Sequence, residues 1–121
     1  MRLNIVIALF LASLTAGCTT VTEAGYYWGD YAPTLYKYTK SPSDETMAEH
    51  RESLEGIIAK STEKDLRVPP GVYAELGYLQ QQLGDREASL NYYASEIKLY
   101  PESAPFLERL MNAGNENGEA Q

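Results

Sequence analysis

Between the stiff turn Val68-Pro69-Pro70-Gly71 and Pro101 the chain is broken only once, at Gly84-Asp85, and this punctuation constrains the fold more than any other feature. The second proline of the turn cannot extend a preceding helix. After it, Tyr73, Leu76, Gly77, Gln80 and Leu83 recur at three- and four-residue steps, the period of one helix face. Gly84 ends that helix and Asp85 caps the next. The second helix is expected to bury Ala88, Leu90, Tyr93, Ile97 and Leu99 before Pro101 closes it. The two segments form a helical hairpin.

Tyr73, Leu76-Gly77, Gly84-Asp85, Tyr93 and Pro101 stand in the register of a tetratricopeptide repeat, and the hairpin resembles one. At Gly77 the missing side chain lets the two helices approach closely, and larger neighbours fill the groove between them. The sequence departs from the repeat pattern at Ser89 and Glu96, where small residues are usual, and at Gln80, where an aromatic is common. A fainter echo lies upstream, where Gly29-Asp30, Thr34-Leu35 and Tyr38 match Gly84-Asp85, Ser89-Leu90 and Tyr93. If the echo is a repeat, the aromatic segment is the second half of a truncated one. Repeat units do not bury their apolar faces alone. A stack this short needs aromatic capping or a partner that completes it.

The remaining helices follow from caps and periodicity. Asp30 is placed to cap a helix over 30–39, with Pro33 in its first turn. Lys40-Ser41-Pro42-Ser43 breaks the chain, and Ser43 is placed to cap a second helix over 44–60, with Asp44 and Glu45 in its first turn. Met47, Leu54, Ile57 and Ile58 give that helix an apolar face, and Glu49, Arg51, Glu52 and Glu55 a wet one. The polar stretch 61–67 reads as a connection. Ser103 is placed to cap a last short helix carrying Phe106, Leu107, Leu110 and Met111, which ends at Ala113-Gly114 and leaves 115–121 as a disordered tail. The expected fold is all-α, a short TPR-like helical-hairpin array of about five helices over 26–114.

The first seventeen residues stand apart from that fold. Arg2 supplies a positive charge, Ile5–Ala12 is an unbroken apolar run, and the segment ends in the small residues Thr15, Ala16 and Gly17 directly before Cys18, so 1–17 reads as a secretory signal peptide. The apolar stretch is about fourteen residues, short of the roughly 20 that cross a bilayer as a helix. Thr15-Ala16-Gly17-Cys18 resembles the bacterial lipobox, although Leu14 stands one place further out than the usual leucine. That resemblance implies a diacylglyceryl group on the Cys18 sulfur and an N-acyl chain on its amine after cleavage. Several acyl chains, at about 0.8 kcal/mol per buried methylene, exceed what stable anchoring requires. Lipidation also accounts for a single cysteine, which has no disulfide partner. With Thr19 rather than Asp after the cysteine, the resemblance to bacterial lipoproteins implies the outer membrane, at its periplasmic face. Residues 18–25 then read as a tether. Cleavage removes one charge, Arg2, and leaves the mature chain still more acidic than the −7 of the whole sequence. Nucleic acid and charge-driven binding to anionic lipid are disfavoured, since both need clusters of Lys and Arg.

Tyr27-Trp28-Gly29-Asp30-Tyr31, Leu35-Tyr36, Val68-Pro69-Pro70-Gly71, Ala74-Glu75-Leu76-Gly77 and Tyr100-Pro101-Glu102-Ser103 together resemble an uncharacterised family of small bacterial lipoproteins. Members are often encoded beside a CsgG-like, curli-assembly type lipoprotein and a second small lipoprotein. The resemblance implies those two proteins as partners, within an envelope secretion or assembly complex. Chemistry is not legible in the residues. The single histidine, His50, has no second His or Cys for a metal site and reads as structural or solvent-facing. No Gly-rich phosphate loop is present. The reading is therefore a non-catalytic accessory subunit with no cofactor apart from the lipid on Cys18. The alternative is a regulator associated with the cell wall or peptidoglycan synthesis. Candidate partner contacts are Trp28, Tyr27, Tyr31 and Tyr36, which serve either as the cap of the helix stack or as a contact surface. Tyr78 and Tyr92 fall outside the buried stripes and are expected to be exposed.

Overall fold

The computed structural model describes residues 25–118, which fold as five α-helices with no strand among them. The helices are α1 (Tyr31–Lys40), α2 (Asp44–Glu63), α3 (Val72–Gln82), α4 (Arg86–Leu99) and α5 (Ala104–Gly118), with a 3-10 turn at Pro101–Ser103 before the last. The signal segment 1–17, Cys18, the tether to residue 24 and residues 119–121 lie outside the described residues. Each helix packs chiefly on its neighbours in sequence, and α3 with α4 is the most extensive pair. The all-α hairpin architecture read from the sequence is the one observed.

Local chemistry sets the boundaries. Ser43 caps α2 through a capping box, its hydroxyl accepting from the Thr46 N–H while the Thr46 hydroxyl accepts from the Ser43 N–H. Asp30 occupies the N-cap of α1, but its side chain makes no cap bond. Its carbonyl accepts instead from the Thr34 hydroxyl. Asp85 does cap α4, through the Ala88 N–H. α2 runs three residues past its expected end and closes with Leu66 N–H on the Ser61 carbonyl and Asp65 N–H on the Thr62 carbonyl. These are the paired bonds of a Schellman turn, with Asp65 in the left-handed region at φ 54°. Thus 61–63 belongs to the helix, and only 64–71 connects. Ser103 does not cap α5, because its hydroxyl donates back to the Tyr100 carbonyl inside the 3-10 turn. α5 passes Gly114, where the helix was expected to end, and reaches Gly118. A glycine inside a helix costs only about 1 kcal/mol and does not by itself stop it.

The core is Leu54 and Ile57 from α2, Val68 from the connection, and Val72, Leu76 and Leu79 from α3. Tyr93, Tyr100 and Leu107 are buried beside it. Gly77 does permit the close approach expected of it. A Cβ there would lie 2.6 Å from the Tyr93 ring and 3.1 Å from the Ser89 carbonyl oxygen.

The buried stripes shift from the expected register. Leu83 is the C-cap of α3 and projects off its end, 54% exposed. On α4 the fully covered line is Ser89, Tyr93, Glu96 and Tyr100, and Ala88, Leu90, Ile97 and Leu99 flank it half-buried. Phe106 is exposed although its neighbour Leu107 is fully covered, because α5 packs chiefly on α4 and the 3-10 turn. Gln80, Ser89 and Glu96, the three departures from the repeat pattern, are all buried. Glu96 is there for a reason: Oε1 accepts from the Gly71 N–H at 2.7 Å and Oε2 from the Ala74 N–H at 3.3 Å. A carboxylate from α4 thus caps the N-terminus of α3, where the free N–H groups and the helix dipole favour negative charge.

Candidate functional site

α1 presents Tyr31, Thr34, Leu35 and Tyr38 toward the body of the fold, the spacing of one helix face, and leaves Tyr36, Lys37 and Lys40 outside. Beneath it lies His50, on the buried line of α2 and fully covered. Its Nδ1 is 2.8 Å from the Thr34 hydroxyl, and its Nε2 is 2.8 Å from Glu75 Oε1 on α3. The second Glu75 oxygen accepts from the Tyr31 hydroxyl at 3.0 Å. The rings of Tyr31 and Tyr38 stand 5.5 Å and 6.2 Å from the imidazole. His50 is therefore structural: one polar network fixes α1, α2 and α3 in register, and every member has a partner.

The Thr34 hydroxyl has one hydrogen and three groups within reach of it. It lies within hydrogen-bond distance of the Asp30 and Tyr31 carbonyls, at 2.8 Å and 3.1 Å, as well as of His50. Hydroxyl, imidazole and carboxylate in sequence is also the layout of a nucleophilic relay. Here the imidazole is sealed under two tyrosines and the hydroxyl sits among helix carbonyls, so the arrangement shown is a clamp between helices. Among the described residues no cluster of three or more His, Cys, Asp or Glu is placed to hold a metal ion.

Burial first, and then the charge and hydrogen bond of Glu75, push the Tyr31 hydroxyl up to about 12 from its ordinary 10. Burial likewise raises Tyr73, Tyr92, Tyr93 and Tyr100. A tyrosine that holds its proton more tightly in the fold than in the unfolded chain contributes stability below pH 10. For Tyr31 that contribution is lost as pH rises from 10 to 12. The expected result is a Tm that falls through this interval, and falls less steeply in Tyr31→Phe. Thermal melts across an alkaline series check it, and an unchanged slope in the variant would contradict the assignment.

Above the network lies an aromatic surface. Tyr26 and Trp28 are each 41% exposed and meet edge to face at 6.4 Å, and Trp28 continues to Tyr31 at 5.1 Å. Tyr26 is held from the other side, with its hydroxyl 3.4 Å from that of Tyr100, which donates to the Val68 carbonyl. Tyr36 is 62% exposed with the Lys40 ammonium 5.3 Å over its ring, and Lys37 pairs with Glu49.

The residues singled out from sequence thus divide. Trp28, Tyr36 and Tyr78 are exposed, while Tyr27 and Tyr31 pack half-buried against the core. Tyr92 was expected outside and is half-buried, because Tyr73 from α3 covers it at a ring distance of 6.2 Å. Cys18 lies outside the described residues. Sequence reasoning passed over Thr34, Glu75 and Tyr26. Thr34 stands one helical turn after Tyr31 on the inward face of α1, which is the signal that could have found it. Glu75 carried no such signal, since its role depends on which helix lies opposite.

Residues 26–110 match a domain of unknown function, DUF4810. The chain belongs to the DUF4810 family. The DUF4810 match opens on Tyr26 and closes in α5, so it contains both the aromatic surface and the α3–α4 hairpin, and it leaves Cys18 outside. No curated protein and no solved structure matches the chain.

Proposed function

We propose that this DUF4810 protein is a lipoprotein acylated on Cys18, held at the periplasmic face of the outer membrane, and acting as a non-catalytic accessory subunit of an envelope secretion or assembly complex of the CsgG-like type. The observation that carries the reading is the joining of a lipobox-like segment, Thr15-Ala16-Gly17-Cys18, to a five-helix array that leaves large aromatics in solvent. No helix among the described residues is long and apolar enough to cross a membrane, so none of them supplies a helical anchor in place of the lipid. The α3–α4 hairpin is read as TPR-like. Gly77 against Tyr93 provides the close helix contact of such a unit, and its short array leaves apolar surface at Phe106 and Leu83 for a neighbour. Tyr78, exposed on that hairpin, is the residue for a partner to grip.

Two measurements test the reading. Cys18→Ser is expected to release the protein from the outer-membrane fraction, and unchanged fractionation would remove the lipid assignment. A photo-crosslinker at Tyr78 in the otherwise native protein is expected to capture one dominant envelope protein. Binding to purified sacculi with no protein crosslink would instead favour the cell-wall role.

A further inference from the structure

We propose that the exposed side chains of residues 26–40, Tyr26 and Trp28 before α1 and Tyr36 and Lys40 on it, rest on the headgroup region of the bilayer that holds the anchor, so that this N-terminal segment is the membrane-facing side of the domain. The proposal builds on lipidation at Cys18 and adds to it an orientation. It rests on three observations.

The first is reach. Residues 19–25 separate the anchor from Tyr26, and seven residues extend at most about 25 Å. The aromatic surface cannot be far from the lipid. The second is the kind of side chain exposed. Trp and Tyr, with an apolar ring and a polar edge, favour the membrane–water boundary over either bulk phase. Tyr26 and Trp28 are each 41% exposed and are held in fixed positions, Tyr26 by Tyr100 and Trp28 by Tyr31. These rings are presented, not folded away.

The third is charge. The whole chain carries −7, whereas residues 26–40 hold one acid, Asp30, against Lys37 and Lys40, with Glu49 of α2 and, beyond it, Glu45 facing Lys37, so this face is close to neutral rather than strongly acidic. α1 itself has no acidic residue. Lys37 is paired with Glu49, whereas Lys40 lies over the exposed Tyr36 ring, where a long stem and terminal charge suit an aromatic neighbour at an interface. The acidic remainder of the domain is repelled by an anionic surface, which turns this face rather than any other toward it.

Trp28 is the only tryptophan in the chain, so its fluorescence reports this face alone. The experiment uses the protein purified from envelopes and reconstituted into vesicles of phosphatidylethanolamine and phosphatidylglycerol carrying bromine on their acyl chains. Mass analysis of the N-terminal peptide and flotation report the anchor, and Trp28 emission reports the seating. The expected result is at least about twofold quenching by brominated lipid, with protection from aqueous iodide. The double variant Trp28→Phe, Tyr36→Trp moves the probe from the segment before α1 onto α1 itself and is expected to behave alike. Emission that stays iodide-quenchable and indifferent to brominated lipid, on protein that floats, would overturn the proposal while leaving the anchor intact. Such a face would be free for a protein partner. Should the purified chain carry no acyl group, the anchor assignment fails. The same quenching measurement on protein coupled through Cys18 to a maleimide lipid then decides the seating on its own.

Discussion

Replacing Gly77 by alanine is expected to destabilise this protein, while the same replacement at Gly56 stabilises it. Both glycines lie inside helices, where alanine is favoured by about 1 kcal/mol. Gly56, on the exposed side of α2, has nothing within 4 Å of the site a Cβ would take. It therefore collects the helix preference undiminished. At Gly77 the new Cβ meets the Tyr93 ring at 2.6 Å and the Ser89 carbonyl oxygen at 3.1 Å. Tyr93 is fully covered and its hydroxyl donates to Gln81, so the ring has no free direction in which to turn. The helices must separate instead, and overpacking of this kind costs about 1–3 kcal/mol. That cost is the expected difference between the two variants, and Gly77→Leu exceeds it. For a domain of this size each kcal/mol moves Tm by about 4–8 °C, so parallel melts of the two alanine variants resolve it. Equal shifts at both positions would mean that the α3–α4 contact is looser than described.

Glu96→Ala is expected to cost about 1–3 kcal/mol, because it strips two backbone N–H groups at the start of α3 of their charged acceptor. Only 2% of Glu96 is exposed, and its carboxylate is stable there through the Gly71 and Ala74 N–H groups at the start of α3. Gly71 itself stands at φ 92° and offers no side chain that could serve as the cap. Glu96→Gln keeps an acceptor of the same reach without the charge, and its loss is expected to be smaller. Urea unfolding of the three proteins checks the order. If Glu96→Ala melts with the parent, the carboxylate is not the cap of α3.

Much of the fold was legible because its signals are local. Pro69-Pro70-Gly71, Gly84-Asp85 and Pro101 act on their own backbone, so the limits of α3 and α4 follow from them wherever the hairpin is placed. Ser43 capped α2 as expected because the capping box needs only Thr46, three residues on. The end of α2 was missed for a related reason. Asp65 takes the left-handed conformation usually left to glycine, and a polar run such as 61–67 does not announce it. The aromatic segment was legible as important but not as divided. Ring count says nothing of which rings meet Glu75, Tyr100 or water.

The sequence by itself determined most of the helix limits, the turn residues between the helices and the close approach at Gly77. Those depend on backbone preference and on side chains within one or two turns of each other. Only the tertiary structure decided the fate of the polar residues. Glu75, Glu96 and His50 look from their neighbours like solvated groups on amphipathic helices. Each is instead satisfied by groups at least sixteen residues away, Glu96 by the Gly71 and Ala74 N–H groups, Glu75 by Tyr31 and His50, and His50 by Thr34 and Glu75. A buried charge or imidazole is stable only where another element brings the matching donor or acceptor, and no local pattern in the chain encodes which element that is.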